Sequence, residues 1–370
     1  MFITSNFDSG NIEIISASDP SDIRLKIQHD TLSDFYQWFH FRLSGVQDTP
    51  CKLTIENAAG AAYVEGWDDY RVCVSDDREN WHRLDTEYKD GVLSWEITPD
   101  IDSLYFAYFA PYSMEQHLDL IAMASSSPLV TPSVLGHTLD GQAMDLLALG
   151  TGKKVIWLIA RQHPGETMAE YWMEGAIERL LDMDDAVSRA LLGKATIYIV
   201  PNMNPDGSKR GHLRTNAAGI NLNRVWDKPS MKTSPEVYLV REKMLETGVD
   251  IHMDVHGDEA LPCNFIAGFE GIPSLTKDQL SRLHGFMDIL DRISPDFQTK
   301  IGYDIDPPKS ADLKKCTDYV AETFGCLAMT LEMPFKDNDD LPDLEFGWSP
   351  ERCRNLGRAC IDALYQSLKD

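Results

Sequence analysis

The 370-residue chain predicts an N-terminal antiparallel β-sandwich over residues 1–115 and an α/β domain over 116–370, with a mixed, mostly parallel sheet flanked by helices. Two observations carry this reading. Up to about Tyr112, short runs alternate apolar and polar residues with period two, separated by Asp, Asn, Gly and Pro turn signals. Beyond it, apolar strand-length runs alternate with longer segments of helical period, the order that builds a sheet covered by helices.

In the first part the strand candidates are residues 12–15, 37–43, 51–55, 69–74, 93–97 and 103–108, and no stretch has a helical period. Repeated short half-buried strands of this kind pack as two face-to-face sheets. The second part opens with a helical stretch at 114–125, then a hairpin over 133–149 that turns at Asp140-Gly141. Strands follow at 155–160, 196–200, 249–255 and 327–331, and helices at 167–181, 234–246, 276–294 and 350–369. In such sheets ligands bind beyond the carboxyl ends of the strands.

Hydrophobic residues make up 43% and charged residues 25%, the composition of a globular protein. No run approaches the 18 apolar residues of a membrane span, so no membrane role is expected. The N-terminus lacks the basic and apolar regions of a secretory signal, and seven scattered cysteines without CxxC spacing suit free thiols. A cytoplasmic location is therefore expected. The net charge of −25 argues against a general phosphate-neutralising surface and hence against nucleic-acid binding. The oligomeric state is not legible.

Four motifs follow strand ends. His163 and Glu166 flank a Pro-Gly bend, so an imidazole and a carboxylate can turn toward one point. The segment 201–207 leads to Arg214 and to Asn221, Asn223 and Arg224. His256 ends the third strand in Asp254-Val255-His256-Gly257, and Glu332 ends the fourth in Thr330-Leu331-Glu332-Met333-Pro334-Phe335. A His/Glu/His set leaves one zinc position open to water, the arrangement of catalytic sites. A carboxylate such as Glu332 is expensive to bury unless paired or functional, and facing a metal-activated water it could accept a proton. Arg214 and Arg224 offer planar forks suited to a carboxylate or an oxyanion.

These motifs resemble those of the zinc metallocarboxypeptidases, in particular their cytosolic carboxypeptidase branch. HPGE at 163–166, PNxNPDG at 201–207, Arg214, Asn223-Arg224 before Trp226, DVHG at 254–257 and TLEMPF at 330–335 come in the family's order. The first part is similar to that branch's β-sandwich. The resemblance implies one zinc per chain on His163, Glu166 and His256, with Glu332 as general base and acid. It implies that Arg214 stabilises the oxyanion and that Asn223 and Arg224 hold the carboxylate of a peptide or protein C-terminus.

Three departures from the digestive members stand out. Asn221 replaces the aspartate that orients the first metal histidine. Tyr303 and Tyr319 bracket the place of the expected phenol donor without matching its spacing. Lysines near the expected pocket, Lys314 and Lys315, suggest a preference for acidic C-terminal residues. Two other readings remain open: a zinc amidase acting on N-acyl amino acids, and a silent binding protein on the same fold.

Overall fold

The computed structural model describes residues 1–368. Residues 2–107 form two five-stranded sheets. One contains Phe2–Thr4, His40–Ser44, Ser103–Ala107, Val72–Ser75 and His82–Leu84 in that spatial order; the other contains Glu13–Ser16, Ile23–Lys26, Cys51–Ile55, Val92–Ile97 and Thr86–Lys89. Phe41 and Phe106 of the first sheet meet Trp95 of the second at ring separations of 6.5 and 5.7 Å, so aromatic side chains fill the space between the sheets. The pairing is antiparallel except between Ile23–Lys26 and Cys51–Ile55, which run parallel. The sequence reading lacked Phe2–Thr4, Ile23–Lys26, His82–Leu84 and Thr86–Lys89, runs of three or four residues too short to show a period.

From Met114 onward the chain forms a seven-stranded mixed sheet. Its spatial order is Val130–His137, Ala143–Leu149, Ala195–Val200, Lys154–Ala160, Ile251–Asp258, Leu327–Pro334 and Phe265–Ala267. The four strands from Ala195–Val200 to Leu327–Pro334 are parallel, Ala143–Leu149 and Phe265–Ala267 run antiparallel to them, and Val130–His137 is antiparallel to Ala143–Leu149. Lys154–Ala160 lies between the next two parallel strands in sequence, so the chain leaves it once to each side. That reversal opens a crevice at its carboxyl end, where residues 161–167 begin.

Helices Met168–Leu181 and Pro350–Ser367 pack tightly because glycines face each other's backbone. A Cβ on Gly175 would lie 2.2 Å from the Arg354 carbonyl oxygen, and one on Gly357 would lie 2.2 Å from that of Trp172. Met114–Ser125, Pro235–Thr247 and Lys277–Ile293 match the expected helices within a residue or two. The expected end of the last helix, residue 369, lies outside the described residues. Three shorter helices, Ala186–Lys194, Pro205–Arg210 and Cys316–Phe324, were not legible from period.

Beneath the crevice lies a network of buried, paired charges. Arg161 and Glu170 are both fully buried and joined at 2.6 Å. Glu170 also contacts His117 at 2.5 Å and accepts from Asn202 at 3.1 Å. Arg161 donates to the carbonyl oxygens of Tyr112 and Pro164, each at 2.9 Å, which ties the interdomain segment to the turn after the central strand.

The loop that follows Gly211 is anchored at a second point. Asn216 accepts from the Ala218 and Ile220 amides and donates to the buried carboxylate of Glu236 at the start of Pro235–Thr247. Burial pushes the Glu236 pKa up to about 7 from 4.5 despite the Asn216 hydrogen bond. Folding therefore favours its protonated form. This contribution to stability is fully present below about pH 4.5 and is lost as pH rises through about 7, a loss on the order of 3 kcal/mol. Thermal denaturation should show Glu236→Gln raising the midpoint relative to the parent at pH 8, with a smaller gap at pH 5.

Candidate active site

His163 and Glu166 lie in the turn after Lys154–Ala160, and His256 lies near the end of the adjacent strand Ile251–Asp258. One ligand atom from each falls within 4.8 Å of the other two, and all three residues are buried. His163 Nδ1 is 2.6 Å from Glu166 Oε1, His256 Nδ1 is 2.8 Å from Glu166 Oε2, and the two Nδ1 atoms are 3.1 Å apart.

The far side of each imidazole fixes what these atoms can be. His163 Nε2 faces Asn221 Oδ1 at 3.1 Å, and that oxygen also accepts the Asn223 amide at 3.0 Å, which sets the orientation of the Asn221 amide. His256 Nε2 faces Asp254 Oδ2 at 2.9 Å. Asp254 accepts from Gln162 Nε2 at 2.5 Å, and Gln162 Oε1 in turn accepts the Trp226 indole N–H at 2.9 Å. Both Nε2 atoms thus face acceptors, and in the neutral rings both Nδ1 atoms present lone pairs toward the Glu166 carboxylate. Two imidazoles and a carboxylate converging in this way form a donor set that suits zinc. Burial, and then the Arg214 charge, pull the His163 pKa down to about 4. Burial acts in the same sense on His256, but Asp254 and Glu166 outweigh it and hold that ring well above its ordinary value.

Glu332 stands beside His256 on the next strand, paired with it in register. It is 7% exposed, and its Oε2 has no hydrogen-bond partner among the described residues. Burial drives its pKa well above the carboxylate range, although His256 opposes the shift. No salt bridge involving Glu332 occurs among the described residues. Glu332 lines a cavity of about 1320 Å³ shared with His163, Glu166, Arg214, Asn223 and Arg224.

The first domain holds Arg214 in place. Asp30, 2% exposed, accepts the Leu213 amide at 2.7 Å, the Arg214 and Thr215 amides at 2.8 Å each, and the Thr215 hydroxyl at 3.0 Å. Asn11 donates to the Gly211 carbonyl at 2.9 Å, and the Thr31 amide donates to His212 Nε2 at 3.0 Å. The Arg214 guanidinium lies 5.7 Å from the Phe35 ring centroid and 5.2 Å from that of Tyr63, both from the sandwich. Its Nη1 is 4.0 Å from Glu166. Burial and the nearby Arg214 lower the Arg224 pKa, so two like charges face one part of the cavity and favour an anion there. Asn223 accepts the Cys316 amide through Oδ1 at 2.7 Å, which leaves its Nδ2 without a partner among the described residues.

The remaining expectations divide. Lys315 lines the cavity and lies 3.9 Å from Asp306. Lys314 is exposed and is not part of the cavity wall; its carbonyl accepts the Trp226 amide at 3.1 Å. Tyr303 lines the cavity and donates to Asp258 at 2.5 Å, whereas Tyr319 packs beside Trp226 and under Arg241. His212, read from sequence as a loop residue, is buried at the contact between the domains, and His252 is fully buried on the sheet. The segment 201–207 works as a brace: Asn204 caps Pro205–Arg210 and donates to the Gln162 carbonyl at 3.0 Å.

Sequence reasoning missed Tyr63, Glu259 and Asp30. Glu259 lines the cavity at 4% exposure, and burial beside Glu166 raises its pKa well above the carboxylate range. Asp254 carried a usable signal, since two residues before His256 puts it on the same strand face. Asp30 carried none, because its partners lie more than 180 residues away.

Residues 3–109 match the cytosolic carboxypeptidase N-terminal domain, and residues 114–244 match the zinc carboxypeptidase family. A metallo-carboxypeptidase from Burkholderia cenocepacia is 45% identical with a TM-score of 0.97, covering 100% of this chain and 99% of its own. A metallo-carboxypeptidase from Pseudomonas aeruginosa is 42% identical with a TM-score of 0.98 over the same shares. Cytosolic carboxypeptidase 6 of Caenorhabditis elegans is 26% identical, covering 90% of this chain and 78% of its own length. With a His/Glu/His cluster at the strand ends and a sandwich built against it, the chain belongs to the zinc carboxypeptidase family, as a metallocarboxypeptidase hydrolase with the cytosolic carboxypeptidase N-terminal domain.

Proposed function

We propose that this protein releases the C-terminal residue of peptides or proteins by zinc-dependent hydrolysis, one zinc per chain being held by His163, Glu166 and His256. The observation that carries the reading is the convergence of these three donors, within 4.8 Å, at a cavity that also holds Glu332 and two arginines. When bound, zinc supplies Lewis acidity and eases the deprotonation of water. Glu332 accepts the proton from the attacking water and returns it to the leaving amine, a role suited to a carboxylate kept unpaired and largely dehydrated. Arg214, held by Asp30, stabilises the oxyanion that develops on the scissile carbonyl. Arg224 and the free amide of Asn223 bind the terminal carboxylate, which confines cleavage to the last residue.

The Pseudomonas aeruginosa relative was solved in complex with (2-guanidinoethylmercapto)succinic acid, a compound that carries carboxylates and a guanidino group. A carboxylate fits the Arg224 side of the present cavity. The acidic preference suggested by Lys314 and Lys315 has little support in this geometry. Lys314 lies outside the wall, Lys315 is near Asp306, and carboxylates outnumber cations along the lining.

The decisive comparison is zinc-loaded against chelated protein, assayed on peptides and on N-acyl amino acids with identification of the products. Terminal amino acids should appear from peptides only with zinc present; release from N-acyl amino acids alone would favour the amidase reading. Glu332→Gln should lower kcat by about 10²–10⁴-fold while metal analysis still finds one zinc per chain. Asp30→Ala would leave three amides unpaired, at about 1–3 kcal/mol each. It should cut kcat/KM by about 10²-fold with zinc content retained.

A further inference from the structure

One stretch of the cavity wall has no part in the proposed catalysis. Residues 298–306, between the helices Lys277–Ile293 and Cys316–Phe324, line the cavity without a gap and form neither helix nor strand. Gln298 holds the start of the stretch. It accepts the Lys300 and Ile301 amides at 2.7 Å each and donates to the Ile301 carbonyl at 2.8 Å. Tyr303 holds the middle, its hydroxyl donating to Asp258, two residues beyond His256. The Tyr303 ring stands edge-on to Phe265 of the outermost strand at 4.8 Å, and a Cβ on Gly302 would lie 3.1 Å from the Phe265 ring. The stretch therefore follows that edge of the sheet.

Two features of this stretch are left open. Ile301, Tyr303 and Ile305, at every second position, are 53%, 50% and 70% exposed. Single exposed apolar residues are ordinary, but three at strand spacing along a cavity mark a surface to be covered. The backbone is equally free: the amides and carbonyls of 302–306 make no hydrogen bond among the described residues. A row of uncommitted N–H and C=O groups beside alternating apolar side chains is what an added strand requires.

We propose that residues 301–306 dock the substrate upstream of the bond that is cut, as an extended segment with apolar side chains. The proposal rests on the carboxypeptidase reading above. With the last residue held by Arg224 and Asn223, the rest of the polypeptide leaves through the same cavity, past the strand end of His256 and Asp258. There its backbone pairs with 302–306, and alternate side chains cover Ile301 and Ile305. Asp304 and Asp306, at the intervening positions, oppose an acidic tail. The partner is thus the extended, apolar C-terminal tail of a longer peptide or protein rather than a dipeptide.

The test is kcat/KM for zinc-loaded full-length protein on acylated peptides of two and six residues that share their last two. The longer peptides carry Leu, Ser or Glu at alternate upstream positions. Extension with Leu should raise kcat/KM about tenfold or more, mainly by lowering KM, with Ser giving less and Glu least. Ile301→Ser combined with Ile305→Ser should cut the six-to-two ratio for the Leu peptide by a similar factor. Zinc content and the circular dichroism spectrum serve as folding controls. N-methylation of two alternate upstream amides, which removes donors from the peptide backbone, should lower the ratio as well. Equal kcat/KM for the two lengths would overturn this inference and leave the exopeptidase reading standing. So would a ratio unmoved by the double substitution, or by N-methylation. Silence of the zinc-loaded protein toward every peptide would overturn both.

Discussion

Three electron-pair donors that repel one another must be held together at the ends of adjacent strands, and much of the catalytic half is arranged to meet that constraint. Strand register alone brings His256 beside Glu332. The turn after Ala160 brings His163 and Glu166 in from the neighbouring strand, tied to the buried Arg161–Glu170 pair through the Pro164 carbonyl. Each imidazole is then fixed from behind, one by an amide and one by a carboxylate. The difference matters electrostatically, because Asp254 adds negative charge beside His256 while Asn221 adds none beside His163. The two histidines thus enter the cluster as unequal donors despite their similar geometry.

The cavity wall carries both signs of charge. Arg214 and Arg224 line the cavity together with the metal cluster, and Asp306, Asp318 and Glu270 belong to the same wall. A chain with a net charge of −25 therefore still places two arginines in the wall of its cavity. A total charge says little about a substrate when its distribution is this uneven.

Much of the site was legible because its donors are local in sequence. His163 and Glu166 are three residues apart, and His256 and Glu332 each sit in a short motif at the end of an apolar strand run. The α/β pattern was legible for the same reason, since long strands and amphipathic helices carry their period with them. What escaped was non-local or depended on a change of period. Asp30 gives no local sign that it will grip residues 213–215. The helix Cys316–Phe324 is only nine residues long, and its turn of 100° per residue decides which neighbours face inward. Of the two lysines expected at the pocket, Lys315 lines the cavity and Lys314 does not, while the helix also turns Thr317 and Asp318 to the wall.

Asp30, Phe35 and Tyr63 precede every metal donor in the chain, so the groups that grip Arg214 leave the ribosome well before the loop they grip. Domains emerge and fold in that order during synthesis. The sandwich is then a waiting template, and the loop 211–216 docks onto a surface already made.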